Sequence, residues 1–150
     1  MNNIKAQLHE YCTRYIDERI LHAQQAIRSA QESANDDTKS SAGDKYETGR
    51  AMMQQEIEKH TVQLAEAQRL KQVLRQIHPS KVYSRIQAGS LVQTSQGSFY
   101  LAISIGRHVI ADQAVFIIST ASPIGALLLG KQAGDQFSFN GNVFMISDVA

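Results

Sequence analysis

The amino-acid sequence predicts an α+β fold: an antiparallel helical hairpin followed by a small antiparallel β-sheet with one short helix. Two observations carry this prediction. Residues 1–80 contain every glutamate but only two of the nine glycines, whereas residues 81–150 contain seven glycines and all five phenylalanines. The spacing of apolar residues changes at the same point, from steps of three and four to a period close to two.

Two helices separated by a polar turn are predicted for residues 1–78. Proline and glycine are absent from residue 2 to about residue 34, where good helix formers dominate. Steps of three and four place one narrow apolar stripe on each helix, formed by Ile16, Ile20, Ala23, Ile27, Ala30 and Ala34, and by Met53, Ile57, His60, Leu64, Ala67, Leu70, Leu74 and Ile77. Turn formers at residues 35–44 predict that two helices of about 30 residues fold back as a slender rod. The same stripe is also compatible with a coiled coil between two chains of a self-associating protein.

A compact sheet is predicted for residues 89–150, after a linker at residues 79–88 that follows the helix-ending Pro79. Candidate strands cover residues 90–94, 98–105, 115–119, 136–139 and 143–149. Asn140-Gly141 predicts a tight hairpin between the last two strands. The short helix has Ser122 as its N-cap, Pro123 in its first turn and Gly130 as its stop.

Composition excludes several classes of protein. The net charge of +1 argues against binding nucleic acid through a large basic field. A single cysteine, Cys12, cannot form an internal disulfide. The longest apolar run, Ile124–Leu129, is too short to span a membrane, and the N-terminus lacks the pattern of a signal peptide. We therefore expect a cytoplasmic protein without membrane contact.

No self-contained active site is predicted, so we expect no catalytic residues of the chain's own and no stably bound cofactor. Nothing in the sequence places a base, an orienting acid and an oxyanion donor around Cys12, which is interpreted as an ordinary thiol. His60 lies on the apolar stripe and is interpreted as a packed helix-interface residue. The remaining histidines are interpreted as surface residues: His9, His22, His78 and His108.

Acidic residues concentrate around the predicted tip of the hairpin, where Glu32, Asp36, Asp37, Asp44 and Glu47 fall within sixteen positions. Carboxylates suit Mg²⁺, which takes one or two protein carboxylates and keeps other positions for water or substrate oxygens. The tip is therefore a candidate to complete a metal site that belongs to a partner. A solvated turn is the alternative interpretation, since Asp and Asn favour turns.

The segment Ile118–Lys131, in which a strand leads into Ser-Pro-Ile, a short helix and Gly-Lys, resembles the bacterial Gre transcript-cleavage factors, GreA and GreB. The residues Phe99–Ala102, Ile105-Gly106 and Phe144–Ile146 are also similar to the carboxy-terminal domain of that family. The resemblance implies that residues 89–150 are FKBP-like. It covers nearly the whole chain, specifically after residue 88 and only in architecture before it.

The resemblance implies a monomeric accessory factor of transcription elongation, not an enzyme. In the Gre family the hairpin enters the secondary channel of RNA polymerase, and acidic tip residues help hold a second Mg²⁺ at the polymerase active site, where backtracked RNA is hydrolysed. Nucleic acid is then contacted only indirectly. The surface that would dock on the rim of the channel comprises Ser122, Pro123, Ile124 and Gly125.

The tip departs from the family pattern, which is roughly acid-Leu-Lys-acid-Asn-Ala-acid-Tyr. Asp37 matches the first acid, while Ser40 replaces the second, and Asp36 or Asp44 are the candidate substitutes in a turn two residues longer. Lys39, Tyr46 and Glu47 would support these ligands. Polymerase binding, with or without stimulated cleavage, is therefore the leading interpretation. Prolyl isomerisation is a third, suggested only by the FKBP-like fold.

Overall fold

The computed structural model describes the backbone of residues 2–40 and 44–150, and the side chains of residues 3–35 and 48–150. It has three helices and six strands in these ranges, in the order α1 (Asn2–Ser40), α2 (Asp44–Arg75), β1 (Leu91–Thr94), β2 (Gly97–Ala102), β3 (Gly106–Ile110), β4 (Gln113–Ser119), α3 (Pro123–Leu128), β5 (Gln136–Phe139) and β6 (Asn142–Val149). The predicted α+β class is confirmed. Neither α1 nor α2, nor the short α3, has an apolar stretch long enough to cross a membrane in its described residues.

The chain divides into two compact units. One unit comprises residues 14–71, and the other comprises residues 1–13 together with residues 72–150. The first unit is continuous in sequence, but the second combines both ends of the helical region with the sheet. Leu8 and Cys12 of α1 and Leu74 of α2 are buried in this second unit. The ends of the helical region are thus part of the sheet unit.

The unit of residues 14–71 is held together by the predicted apolar stripe. Ile16, Ala23, Ala30 and Ala67 are buried. The other stripe positions within this unit are half-buried: Ile20, Ile27, Ala34, Met53, Ile57, His60, Leu64 and Leu70. A contact of 2.6 Å between Lys71 Nζ, late in α2, and Asp17 Oδ1, early in α1, indicates that the two helices run antiparallel.

Both helices are longer at the predicted turn than expected. Residues 35–40 continue α1, and α2 begins at Asp44, nine residues before the first stripe position. Asn, Asp, Thr and Ser lower helix stability by only about 0.5–0.7 kcal/mol each relative to Ala. No proline or glycine interrupts the chain before Gly43, so a helix that is already formed can continue through these residues.

The six strands form one mixed sheet in the order β3-β4-β2-β1-β6-β5. The expectation of a purely antiparallel sheet is wrong at one position, because β2 and β4 pair in parallel from Ser98↔Val115 to Ala102↔Ser119. The cause is β3, which was not among the predicted strands. β3 is the edge strand and pairs antiparallel with β4, which lies between β3 and β2. β4 therefore runs in the same direction as β2.

The main core lies on the face of the sheet that contacts α3. It comprises Ile86, Val92, Phe99, Leu101, Leu128, Phe144 and Ile146. Residues alternate across a strand, so Tyr100 and His108 point to the opposite face. There the first turns of α1 pack against the sheet, with His9 Nδ1 3.3 Å from the Tyr100 hydroxyl.

Residues 79–88, expected as a linker, make specific contacts within the sheet unit. The backbone of Ile86 bonds the loop after α3 in both directions, through Ile86 N to Lys131 O at 2.8 Å and Gly130 N to Ile86 O at 2.9 Å. Lys5 Nζ donates to the carbonyl of Lys81. The segment is therefore fastened both to α3 and to the beginning of α1.

Candidate functional site

The segment expected to dock on a partner begins at a well-formed helix cap. Ser122 has extended backbone angles, φ −66° and ψ 158°, as an N-cap requires. Its Oγ accepts a hydrogen bond of 3.1 Å from Gly125 N and donates one of 2.7 Å to Ser119 O. Pro123 occupies the first turn of α3, where its missing N–H costs no hydrogen bond. The predicted cap and helix are confirmed.

The cap depends on a glycine at residue 125. A Cβ atom built on Gly125 would lie 2.1 Å from Ser119 O and 2.7 Å from Ser122 Oγ. The closest obstacle is backbone, so it cannot move aside as a flexible side chain would. Gly125 is therefore required for the close approach of α3 to the end of β4.

The structure brings the four candidate docking residues together but exposes them unequally. Pro123 is exposed, Ser122 and Ile124 are half-buried, and Gly125 is buried. None of the four carries a charge. Pro123 is therefore the residue of this set that can contact a partner most directly, while Gly125 acts by shaping the turn.

Two apolar residues on neighbouring strands are exposed, although neither was predicted as a candidate contact residue. Phe116 on β4 is 36% exposed and Val109 on β3 is 52% exposed. Phe116 lies two residues before Ile118, so the two share the face of the sheet on which Ile118 and Ile124 pack against the core. Their exposure could not be predicted because β3 was not among the predicted strands. Without β3, the sequence does not show that Phe116 and Val109 lie near this edge of the sheet.

Of the acidic residues around the predicted tip, all but Glu32 lie outside the residues whose side chains the structure describes. This applies to the candidate metal ligands Asp36, Asp37 and Asp44, and to the supporting residues Lys39, Tyr46 and Glu47. The roles assigned to these side chains remain predictions.

Two of the histidines interpreted as surface residues are in fact half-buried in the sheet unit. His9 lies against Tyr100, and the ring of His108 stacks on Tyr11 with 3.7 Å between centroids and 12° between planes. Both contacts join residues about 90 positions apart, so no local pattern could indicate them. His22 and His78 are exposed as expected, and His60 is half-buried on the helix stripe.

Burial shifts the pKa values of several polar groups of this unit in the direction that favours their neutral forms. It raises the pKa of the Cys12 thiol to about 12, so the thiolate needed for nucleophilic chemistry is suppressed. Burial also raises the pKa of Tyr100 and lowers those of Lys5 and His9. The Lys5 ammonium lies 5.1 Å from the centroid of the Tyr83 ring and bonds a carbonyl oxygen. These contacts describe a packed interior with satisfied polar groups, not a nucleophile and its base.

No group of three or more His, Cys, Asp or Glu residues suited to holding a metal ion occurs among the side chains of residues 3–35 and 48–150. The structure therefore adds no ligand set to the one expected at the tip. In comparisons with known proteins, no family model and no curated protein matches the chain.

Proposed function

We propose that this chain is a Gre-like accessory factor that binds RNA polymerase through its secondary channel. The proposal rests on the resemblance of residues 118–131 to the Gre carboxy-terminal domain. The observation that supports it best is the capped turn at Ser122, which presents an exposed, uncharged Pro123 at the start of α3. The two long helices α1 and α2 agree in kind with the helical hairpin of that family.

In this proposal the tip carboxylates act at the active site of the polymerase. Asp37, with Asp36 or Asp44, would supply oxygen ligands to a second Mg²⁺, whose role is to activate water for hydrolysis of backtracked RNA. Lys39, Tyr46 and Glu47 would support those ligands. The chain is then an accessory factor, and in this proposal a coiled-coil hairpin precedes an FKBP-like domain.

Polymerase binding is tested by pull-down of purified bacterial RNA polymerase with the tagged full chain. We expect retention by the wild type and at least tenfold weaker retention by Pro123→Glu. Glutamate is well tolerated in the first turn of a helix, so this variant changes the surface while α3 still forms. Ser138→Glu, on an exposed position of β5, is the matched control and retains the polymerase. Equal retention by both variants, or none by the wild type, contradicts the proposed docking.

Cleavage is tested separately on backtracked polymerase complexes. If the chain stimulates cleavage, we expect the triple variant Asp36/Asp37/Asp44→Ala to bind normally while the cleavage rate returns to that of polymerase alone. Equal rates for a stimulating wild type and the triple variant rule out the metal-ligand role. Binding by a wild type that stimulates no cleavage assigns the chain to channel-binding regulators that act without hydrolysis.

Self-association is distinguished from this proposal by light scattering. The stripe residues Ile16, Ala23, Ala30 and Ala67 are buried within a single chain, which supports a monomer. We therefore expect a mass near 16.6 kDa at all concentrations. A concentration-dependent dimer favours the alternative of an intermolecular coiled coil.

A further inference from the structure

Strand β3 forms one edge of the sheet, so one side of its backbone has no neighbouring strand in the described part of the chain. Ile117 on β4 directs its carbonyl oxygen towards β3, where it accepts a hydrogen bond of 3.1 Å from Ile105 N. Backbone groups of successive residues point to opposite sides of a strand, so Gly106, which is opposite Ile117, faces β4 and Arg107 faces outwards. The same alternation turns the N–H and C=O groups of Val109 outwards. The free edge of β3 therefore offers two donors and two acceptors.

The side chains of these two outward-facing residues lie beside an exposed aromatic ring. Phe116 on β4 is directly opposite Arg107 and diagonal to Val109, so all three side chains share one face of the sheet. Val109 is 52% exposed and Phe116 is 36% exposed. The Phe116 ring also stacks on the buried Phe99, with 5.7 Å between centroids. An apolar patch therefore continues the core to the free edge, where it meets a cation.

Arg107 is an exposed cation whose side chain has no hydrogen bond or ion pair with any residue that the structure describes. The chain contains no aspartate or glutamate between Glu66 and Asp112, and Asp112 lies in the turn beyond the other end of β3. A carboxylate placed opposite Arg107 would supply the partner that this guanidinium lacks.

The two edges of the sheet differ in what covers them. At β5, Phe137 and Phe139 are half-buried against the core, and the Lys131 ammonium lies 5.6 Å from the centroid of the Phe137 ring. At β3, the face that carries His108 is covered by the ring of Tyr11, while the other face remains exposed. The stacked rings hold β3 in place, so an added strand would find a preformed edge beside exposed apolar side chains.

A second copy of this chain is a poor occupant of this edge. If two copies paired through both outward-facing residues of β3, each Arg107 would lie opposite Val109 of the other copy. Pairing the two arginines directly would place like charges opposite each other, which is destabilising. Neither register supplies a carboxylate, so the charge at this edge favours an acidic partner over self-association.

We propose that the free edge of β3 binds an extended acidic segment of a partner protein, which adds a seventh strand to the sheet. Antiparallel pairing exchanges hydrogen bonds with the backbones of Arg107 and Val109. It places a carboxylate beside the Arg107 guanidinium and an apolar side chain on Val109 and Phe116. The recognised order, from the N-terminus of the segment, is an apolar residue, a spacer and an acidic residue. This interaction goes beyond the proposed polymerase function and does not depend on it.

NMR titration of the isotope-labelled full chain with the peptide acetyl-Thr-Ile-Thr-Glu-Thr-amide tests the edge. We expect saturable amide shifts that are concentrated on residues 105–116. Methylation of the backbone nitrogen of the isoleucine or the glutamate removes a donor that pairs with β3 and weakens binding about tenfold. The same methylation of the central threonine, whose N–H points away from β3, is the control and leaves binding unchanged.

Charge reversal tests recognition of the acidic residue. Arg107→Glu is expected to weaken binding of this peptide about tenfold or more, and to bind instead the peptide that has lysine in place of glutamate. Arg75→Glu, at an exposed position at the end of α2, is the matched control. Val109→Lys also weakens binding, whereas Val143→Lys, at a similarly exposed valine of β6, leaves it unchanged.

Three results would overturn the proposal. The first is the absence of peptide binding at millimolar concentration, and the second is equal binding by wild type and Arg107→Glu with native NMR spectra. The third is a set of shifts at residues 106–110 that depends on protein concentration without peptide, because it would assign the edge to a second copy of the chain.

Discussion

At the scale of single residues, Gly125 illustrates how one position connects sequence to local structure. Its backbone N–H satisfies the cap hydroxyl of Ser122, and its missing side chain leaves room for the carbonyl of Ser119. The first role requires a backbone N–H that can donate a hydrogen bond, and the second requires that no Cβ atom be present. Only glycine has both, since every other residue that retains the N–H adds a Cβ.

Gly125→Ala is expected to lower the free energy of unfolding by about 3 kcal/mol, because the added methyl meets backbone that cannot yield without moving β4 or α3. Ser122→Ala removes only the cap and is expected to cost about 1 kcal/mol. Urea denaturation measures both changes. Ser138→Ala, on an exposed position of β5, is the control and changes stability little. Gly125→Ala with wild-type stability would contradict the close approach.

His9 is expected to make stability depend on pH. Burial lowers its pKa below the ordinary value of 6.5, so the unfolded chain binds a proton more readily than the folded chain. The contribution of neutral His9 is therefore fully present above pH 6.5 and is lost as the pH falls through the folded-state pKa.

His9→Gln is expected to reduce the loss of unfolding free energy between pH 7 and pH 5, since it removes the group that must be protonated. His22→Gln changes an exposed histidine and retains the wild-type pH dependence. Chemical denaturation at several pH values compares the three proteins. The same pH slope in His9→Gln and wild type would contradict the role of His9.

At the scale of elements, the two hairpins of the sheet contrast in how well their turns suit their sequences. Asn140 and Gly141 have φ values of 50° and 79° between β5 and β6, which asparagine and glycine adopt readily. Ala111 and Asp112 have φ values of 49° and 61° between β3 and β4. Alanine is unfavourable in that region of φ, so the second hairpin forms because its strands pair from Gly106↔Ile117 to Ile110↔Gln113.

Replacing Ala111-Asp112 by Asn-Gly is expected to raise the free energy of unfolding by about 1 kcal/mol, because the new residues adopt positive φ without strain. The reciprocal change, Asn140-Gly141 to Ala-Asp, is expected to lower it by a similar amount. Thermal and urea denaturation measure both. A destabilised Asn-Gly variant would show that the present turn is not strained.

At the scale of the whole molecule, the two compact units differ in how much apolar surface they bury. Among its described side chains, the unit of residues 14–71 buries Ile16 and three alanines, whereas the sheet unit has a seven-residue core with two phenylalanines. Helices in proteins gain most of their stability from packing, so a narrow stripe of small residues stabilises them less than a broad core stabilises a sheet.

Amide hydrogen exchange is expected to reflect this difference. Amides of α1 and α2 within residues 14–71 should exchange roughly 100-fold faster than those of β1, β2 and β4, because their local opening exposes less apolar surface. Mass spectrometry of peptides from the exchanged full chain measures both regions. Equal protection in the two units would contradict this ranking and indicate a single cooperative unit.

The elements that were predicted correctly are those whose sequence pattern involves residues only a few positions apart. The stripe from Ile16 to Ala34, the cap at Ser122 and the Asn140-Gly141 turn each depend on residues a few positions apart, and all three appear in the structure. The helices exceeded their expected bounds because turn-forming residues oppose a helix only weakly. Strand β3 was missed because its short segment, which contains a glycine and two basic or imidazole side chains, has little apolar pattern of its own.

The candidate site residues likewise include some that local sequence patterns indicate and others that depend on contacts between distant residues. Ser122–Gly125 could be selected from the sequence because cap chemistry is local, but the exposure of Pro123 and the clash that requires Gly125 appeared only in three dimensions. His9 and His108 were misjudged because Tyr100 and Tyr11, which cover them, lie about 90 residues away. A groove between the two long helices, lined by Ala23 of α1 and His60 of α2, likewise becomes visible only when α2 is placed against α1.

The sequence by itself determined the α+β class, the apolar stripe of the helices and the position of α3, because each follows from local spacing and backbone preference. The parallel pairing of β2 with β4 and the inclusion of the helix ends in the sheet unit were decided only by the tertiary structure. The physical reason is that strand pairing and burial depend on contacts between distant residues, whose partners no local pattern specifies.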